Sequence, residues 1–137
     1  MEKLFMRNSI ERHYNMIKVI VCVSKKADLS MEEFIEHWQV THRELLMKYQ
    51  DVLKIKKHIQ MLPDNAQLQA GLDMAWSKAP YCDGIDETWF ESEEAFRELR
   101  NIPDAAKALQ ILREDEVKFV DHSKTYGWVV RDATIIE

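Results

Sequence analysis

The sequence predicts one α+β domain in which strands and helices follow each other in the order β-α-β-β-α-β. Three observations indicate this fold class. A chain of 137 residues suits a single hydrophobic core. Its composition, 46% hydrophobic and 31% charged with only three glycines and three prolines, is typical of a soluble globular protein. The spacing of apolar residues alternates along the chain between two residues, as in strands, and three to four residues, as in helices.

The first strand is predicted over residues 16–23, with the sequence MIKVIVCV. β-Branched residues favour strands. Apolar side chains occupy both alternating sets of positions, so both faces of this strand are expected to be covered. We therefore predict that it lies in the interior of a sheet.

A helix is predicted to begin at Ser30, because Ser30 and Glu33 have the spacing of a capping box. Downstream, side chains at spacings of three and four form one apolar stripe. The stripe comprises Phe34, Trp38, Leu45, Leu46 and Tyr49, and His42 lies within it. His42 is therefore expected to be shielded from water.

The remaining elements follow from the same periods and from turn-forming residues. They are an edge strand over 52–62, a long connection without a clear period over 63–80, a strand over 81–90, helical pieces on both sides of Pro103, the second over 104–121, and a last strand over 123–130. The two helical pieces are separated at Pro103 because proline ends or kinks a helix. Long connections of this kind often close over binding sites.

Charge and cysteine usage exclude several classes of protein. The net charge of -5 leaves little positive potential for phosphates, so we expect no nucleic-acid partner. The two cysteines, Cys22 and Cys82, lack the spacing of a disulfide framework or a zinc site, which favours a cytoplasmic location. Residues 1–15 are charged without an apolar segment, so no signal peptide is indicated. No apolar run approaches the roughly 20 residues that cross a bilayer, so no membrane association is expected.

One face of the predicted sheet requires a cover. A sheet in this order normally keeps its helices on one face, and the other face would be apolar because the last strand carries Tyr126 and Trp128. Exposed apolar surface costs roughly 25 cal/mol per Å². We therefore predict a homodimer whose two sheets close into a barrel around the ligand site. In the alternative, the long connection and the N-terminal residues cover this face.

Four segments, in this order, resemble the EthD-like family of the dimeric α/β-barrel superfamily. They are MIKVIVCV, LSMEEFIEHWQVTHRELL, YCDGIDETWFESEEAF and EDEVKFVDHSKTYGWVV. The first helix of that family shows an aromatic residue and then a histidine, matched here by Trp38 and His42. The family usually continues with a small residue and proline, whereas this chain has Arg43 and Glu44, so the helix is expected to run on. The resemblance covers residues 16–131 and leaves 1–15 as an N-terminal extension and 132–137 as a C-terminal tail.

The resemblance implies a ferredoxin-like fold, with a four-stranded antiparallel sheet, helices on one face and dimerisation into an α/β barrel. Relatives act as cyclases, dehydratases or lactone isomerases, or are associated with haem. The leading prediction is a cofactor-free lyase or isomerase, of cyclase or dehydratase type, that acts on an aromatic or polyketide-like metabolite. A non-catalytic binding or accessory protein of a degradation pathway and a haem-dependent oxidoreductase remain alternatives.

Three residues are the candidates for chemistry. Histidine takes and gives a proton near neutral pH, so His42 is the first candidate for general acid/base catalysis, and a buried structural histidine is the alternative. His58 lies among the polar positions of its strand and faces either solvent or the barrel interior. Asp83 is a candidate for orienting an imidazole, although a surface or edge position is the commoner explanation for a carboxylate in such a context.

A ring-shaped hydrophobic ligand would suit the aromatic residues of the chain. The candidates for ligand binding are Trp38, Tyr49, Trp89, Phe90, Tyr126 and Trp128, and an ordinary core role is the alternative for each. Histidines at metal-ligand spacing and phosphate-binding or dinucleotide motifs are not found in the sequence. We therefore expect neither a metal nor a cofactor.

Overall fold

Within residues 16–76 and 82–137, which the computed structural model describes, four strands form one antiparallel sheet. The strands are β1 (Ile17–Val23), β2 (Ile55–Met61), β3 (Gly84–Phe90) and β4 (Tyr126–Val130), and their order across the sheet is β2-β3-β1-β4. The predicted sheet is confirmed, with β1 in its interior and β2 at an edge. The predicted N-terminal extension, residues 1–15, lies outside the described residues.

Helical segments connect the strands. They are α1 (Met31–Glu36), a π-helical segment (His37–His42) and α2 (Arg43–Tyr49) after β1; α3 (Ala66–Ala75) after β2; α4 (Glu93–Glu98), a 3₁₀ turn (Leu99–Asn101) and α5 (Pro103–Glu116) after β3; and a 3₁₀ turn (His122–Lys124) before β4. The helix after β1 runs on through Arg43, as expected. Among the described residues, no helix is long and apolar enough to cross a bilayer.

Local signals in the sequence set the helix starts. The Ser30 hydroxyl accepts a hydrogen bond from the Glu33 backbone N–H, and the Glu33 carboxylate accepts one from the Ser30 backbone N–H, both at 3.1 Å. These two bonds complete the predicted capping box. The Ser92 hydroxyl caps α4 by accepting from the Ala95 backbone N–H at 3.0 Å. Pro103 occupies the first turn of α5, where its missing N–H removes no helical hydrogen bond.

The prediction that the connection after β2 has no regular structure was wrong for residues 66–75, which form α3. Asn65 begins this helix by accepting a hydrogen bond from the backbone N–H of Leu68 at 2.9 Å. No residue of α3 is buried, and Leu68, Leu72 and Met74 are exposed. A helix without a buried face need not carry an amphipathic stripe, which explains why its period was not evident in the sequence.

The register of the sheet assigns alternate side chains to its two faces. Val21 on β1 lies opposite Asp86 on β3, and Lys18 lies opposite Trp89. Because side chains alternate along a strand, odd-numbered residues of β1 and even-numbered residues of β3 share one face. The helices pack on this face, which we call the helix-facing face. The other side of the sheet is the open face.

The core lies between the helix-facing face and the helices, and it forms two clusters. One contains Ile17, Leu53, Ile55, Phe90, Leu99, Ala105, Ala108 and Leu112, and the other contains Val23, Phe34, Trp38, Phe119 and Val120. Each cluster combines residues of strands with residues of helices. The prediction that the helices lie on one face of the sheet is therefore confirmed.

The open face carries aromatic side chains that the described residues leave partly exposed. Tyr126 and Trp128 are 56% and 51% exposed, and their rings stack with centroids 6.4 Å apart. Beside them, Lys18 places its Nζ 3.2 Å from the Glu87 carboxylate and 4.6 Å from the centroid of a Trp89 ring. This face thus combines apolar surface with a buried charge that has its own partners.

The close approach of Gly84 to the Trp38 indole generates a prediction. A Cβ atom at position 84 would lie 2.5 Å from Cζ3 and 2.6 Å from Cη2 of Trp38, and Trp38 is only 2% exposed. Gly84→Ala is therefore expected to lower the free energy of unfolding by roughly 1–3 kcal/mol, measured by urea denaturation.

Gly71→Ala is the matched control for this substitution. A Cβ atom there meets nothing within 4 Å, and alanine is favoured over glycine inside a helix by up to about 1 kcal/mol. This variant should be as stable as the wild type or more stable. Equal stability of Gly84→Ala and the wild type would contradict the tight packing at Trp38.

Candidate functional site

A cavity of about 350 Å³ lies between the helix-facing face of the sheet and the helices. Its apolar wall is formed by Val21, Val23, Trp38, Leu46, Phe119 and Val120. Its polar lining comprises His42, His58, Asp86, Thr88, Arg113, Glu116, His122 and Thr125. Space remains above the sheet because the strands present small residues here, such as Thr88 on β3 and Gly127 on β4.

The position of this cavity differs from the expected ligand site between two copies of the chain. It lies on the helix-facing side of the sheet, between the strands and the helices. The open face, for which the sequence analysis predicts a partner, is on the other side of the sheet. A ligand site between two copies stays a prediction.

His42 is a buried side chain at the end of the π-helical segment, with 6% exposure. Its Nδ1 lies 2.8 Å from Oδ2 of Asp115, near the C-terminus of α5. The Phe119 ring packs edge-on against the imidazole, with centroids 5.2 Å apart. Because Asp115 binds Nδ1, Nε2 is the ring nitrogen that remains for a ligand in the cavity.

The π-helical segment brings a second histidine to the same carboxylate. Nε2 of His37 lies 3.0 Å from Oδ1 of Asp115. In an α-helix, residues five positions apart point about 140° away from each other. In a π-helix the turn is wider and hydrogen bonds join residues five positions apart, so positions 37 and 42 lie on the same side of the helix. This wide turn therefore allows His37 and His42 to contact Asp115 together.

Asp115 is an ionised carboxylate inside the protein, with 5% exposure. Burial raises the pKa of Asp115, but hydrogen bonds from His42 and then from His37 together outweigh burial, so that its pKa is lowered. An ionised carboxylate only accepts hydrogen bonds. Nδ1 of His42 must therefore carry a hydrogen, which leaves the lone pair of the neutral ring on Nε2.

A second carboxyl group, on Asp86 of β3, lines the cavity. Its pKa is raised, whereas that of Asp115 is lowered. Burial and, after it, the nearby Glu116 carboxylate raise the pKa of Asp86 to about 7. Glu116 itself lies 3.3 Å from Nε2 of His122. Asp86, in the cavity wall, thus keeps its proton up to about neutral pH, whereas Asp115, the partner of His42, is ionised.

His58 is a neutral side chain in this environment. Its Nδ1 lies 2.8 Å from the hydroxyl of Thr88, and its Nε2 is buried with no hydrogen-bond partner among the described residues. Burial and then the proximity of His42 lower the pKa of His58 to about 4. His58 is consequently a weak base, and His42 is the better candidate for accepting a proton. In the described part of the chain, no group of three or more potential ligands is placed to hold a metal ion.

The sequence matches the family model described as the EthD domain over residues 26–123. This chain belongs to the EthD domain family. No protein with a curated description matches the sequence.

Solved structures share the fold of this EthD domain at low sequence identity. An EthD family protein from Bacillus halodurans aligns with a TM-score of 0.58 and 13% identity, over 86% of this chain and 99% of that one. A dimeric protein of unknown function with a ferredoxin-like fold, from Bacteroides fragilis, gives 0.54 and 13%, over 85% and 96%. Hydroxynitrile lyase from Passiflora edulis gives 0.52 and 14%, over 87% and 96%. These likenesses establish the ferredoxin-like fold.

The EthD domain brings only part of the predicted site residues together. His42, His58 and Trp38 line the cavity, and Tyr126 borders it at the start of β4, although its side chain belongs to the open face by the register of the sheet. Asp83 does not, because it lies before β3 and its Oδ2 accepts a hydrogen bond from the Lys25 backbone N–H at 2.7 Å. Asp83 thus secures the chain after β1, and the role of orienting His42 falls to Asp115.

The other aromatic candidates lie elsewhere in the EthD domain. Trp89 and Trp128 belong to the open face by the register of the sheet. Phe90 is a core residue that packs edge-on against Phe96, with centroids 4.9 Å apart, and Tyr49 packs against the same cluster. In this chain the cavity wall is therefore mainly aliphatic, with Trp38 and Phe119 as its aromatic members.

Sequence reasoning missed Asp115, Asp86 and Glu116 as members of the site. Two signals were available for them. The first signal is that Asp86 places an acidic residue on the helix-facing side of β3. The second is that Asp115 precedes Phe119 by about one helical turn, so that Asp115 and Phe119 both contact the imidazole of His42. Neither signal reveals the pairing, because His42 and Asp115 are 73 positions apart in the chain.

Replacement of Asp115, the carboxylate that orients His42, should allow His42 to adopt its other tautomer. The amide of Asp115→Asn can donate as well as accept, so the hydrogen on Nδ1 is no longer enforced. Imidazole nitrogen NMR spectra at about pH 8 are expected to show a hydrogen on Nδ1 of His42 in the wild type and on Nε2, or a mixture, in the variant.

Lys118→Ala is the control for this experiment. It removes only a distant partner of Asp115, at 3.8 Å and with a side chain that is 68% exposed. The tautomer of His42 should not change in this variant. An unchanged tautomer in Asp115→Asn would show that Asp115 does not orient the ring.

Proposed function

We propose that this EthD domain is a cofactor-free lyase or isomerase, of cyclase or dehydratase type, that acts on an aromatic or polyketide-like small molecule. His42 serves as its general base and, after the proton is taken, as its general acid. The observation that supports this proposal is the buried His42–Asp115 hydrogen bond of 2.8 Å at the wall of a cavity that combines an apolar wall with polar side chains.

The paired carboxylate makes His42 a suitable base. Asp115 fixes the hydrogen on Nδ1, so Nε2 presents a lone pair to a ligand, and the negative charge stabilises the imidazolium that forms when a proton is accepted. His37 supports the same carboxylate from its other oxygen, at 3.0 Å. A positioned group of this kind contributes about 10² to 10⁴ to a rate.

The dimensions and walls of the cavity support a small hydrophobic ligand. Its volume of about 350 Å³ lies at the lower end of the range for small-molecule sites, about 300 to 1,000 Å³. Trp38 and Phe119 offer ring surfaces, and the valines of β1 offer aliphatic ones. The lyase from Passiflora edulis, which has the same fold, is consistent with lyase chemistry on this scaffold.

A binding or accessory role in the same cavity is the second candidate. It is favoured by the aliphatic wall, which would hold a hydrophobic metabolite without help from the imidazole. Binding without turnover, at an affinity that His42→Gln does not change, would favour this role over catalysis.

We propose in addition that two copies pair through their open faces. Tyr126 and Trp128 expose more than half of their surface there, and covering such aromatic surface is favourable by roughly 25 cal/mol per Å². A relative of the same fold from Bacteroides fragilis is described as dimeric.

Cys22 and Cys82 are both free, which fits the cytoplasmic location that the sequence favours.

Nitrobenzisoxazole is a suitable probe for the proposed base. It is a neutral bicyclic ring whose single isoxazole C–H proton passes to a base while the N–O bond breaks, which gives a coloured phenolate. The wild type is expected to accelerate this reaction over buffer, and His42→Gln should lower the rate at least about tenfold. The absorbance of the product measures the rate.

Glu44→Gln is the control, because Glu44 is an exposed base on the same helical stretch. It should retain the rate of the wild type. If the wild type gave no acceleration, or if His42→Gln retained it, His42 would not be an accessible base and the proposal would be abandoned.

The proposed dimer predicts that a charge on the open face dissociates it. Trp128→Asp is expected to convert the dimer into a monomer in sedimentation velocity experiments, since an unpaired buried charge costs several kcal/mol. Val117→Asp is the matched control, because Val117 is also 51% exposed but follows α5 on the helix side. A wild type that sediments as a monomer would contradict the pairing.

A further inference from the structure

Asp86 is placed where a central strand normally carries an apolar side chain. It lies in the middle of β3 on the helix-facing face, between Val21 of β1 and Gln60 of β2. Its side chain lines the cavity. The position is thus equivalent in the sheet to that of Val21, but it presents a carboxyl group to the ligand space.

Among the described residues, none forms a hydrogen bond with the carboxyl of Asp86. The one charged group among them that acts on it is Glu116, through electrostatic repulsion. The side chain of Asp86 is half-buried and borders the cavity. Its carboxyl therefore remains open to the ligand space, where a ligand oxygen can form a hydrogen bond with it.

The other titratable groups that line the cavity around Asp86 come from four elements. They are Glu116 and Arg113 of α5, His58 of β2, His42 of the π-helical segment and His122 of the 3₁₀ turn before β4. Glu116 is the one that acts on Asp86, and together with burial it raises the pKa of Asp86 to about 7. Asp86 therefore retains its proton in a substantial share of molecules at neutral pH and can act as a hydrogen-bond donor.

We infer that Asp86 is a second proton-transfer residue, which acts with His42 on a neutral cyclic ketone that can form an enol. This inference rests on the proposed function, because it requires His42 to be the base. It adds the acid and the functional group of the substrate.

The chemical step is a keto–enol conversion. Nε2 of His42 takes a proton from the carbon next to the carbonyl group, and the electrons of that C–H bond form a C=C bond. The electrons of the C=O double bond take the proton of Asp86, which becomes a carboxylate. One proton leaves the ligand and one joins it, so no oxidant or cofactor is consumed. Return of the protons at another carbon, or loss of water from the enol, completes an isomerisation or a dehydration.

The walls and charges of the cavity define the ligand further. A ring system matches the apolar surface of Trp38 and Phe119. An anionic ligand would meet the carboxylate of Glu116, with Arg113 as the counter-charge on α5. A neutral ketone avoids this repulsion and still offers an oxygen to Asp86.

Hydrogen–deuterium exchange of beta-tetralone tests the inference. This neutral bicyclic ketone exchanges the hydrogens next to its carbonyl group for deuterium only through its enol, and proton NMR in D₂O under nitrogen follows the loss of signal. The wild type is expected to accelerate the exchange. Asp86→Asn and Asp86→Ala should each lower the enzymatic rate at least about tenfold, as should His42→Gln.

The pH dependence separates a proton donor from a structural group. The wild-type rate should fall above about pH 7, where Asp86 loses its proton, and this fall should be absent from the residual rate of Asp86→Asn. Full activity in both Asp86 variants, with loss only in His42→Gln, would overturn the role of Asp86 and leave the base in place. Full activity in His42→Gln as well would contradict the proposed function itself.

A stability measurement excludes misfolding of the variants. Between about pH 4 and pH 7 the unfolded chain releases the proton of Asp86 while the folded chain keeps it, so raising the pH destabilises the wild type. Asp86→Asn lacks this loss. Its melting temperature should exceed that of the wild type at about pH 8, and the difference should shrink towards about pH 4.

Discussion

The hydrogen bond between His42 and Asp115 is the interaction on which the cavity depends. A carboxylate that is 5% exposed is costly inside a protein unless charges or strong hydrogen bonds compensate it. Here two imidazoles, from His42 and His37, provide that compensation and join the first helical stretch to α5. The same bond sets the tautomer of His42, so the architecture of the domain and its chemistry have a common origin.

Periodicity predicted the fold because the spacing of apolar residues in most elements indicates which face of the element is buried. β1 is apolar on both faces and lies inside the sheet, and Ser30 with Glu33 forms the capping box that starts the first helix. α3 was not predicted because it buries no residue and therefore shows no apolar stripe. The order of the elements then limits the topology to few arrangements, and the ferredoxin-like sheet is the one that forms.

The site was less predictable, since a local period assigns a residue to a face but not to a partner. His42 was placed in the buried stripe, yet Asp83 was assigned as its partner instead of Asp115. Both are buried carboxylates, and the difference is that Asp83 is already engaged by the backbone of Lys25. Such competition is visible only in three dimensions. The alternation of side chains along β3 did contain information about the site, because it places Asp86 on the cavity side and Trp89 on the open face.

The π-helical segment ties the histidine pair to one type of helix. As an ordinary α-helix, this stretch would set positions 37 and 42 about 140° apart, and one imidazole would lose the shared carboxylate. With one residue fewer between them, the two histidines would be four positions apart, and an α-helix would keep them on one face. The wide turn therefore accommodates one additional residue without separating the pair, so the number of residues between the histidines and the type of helix can change during evolution only together.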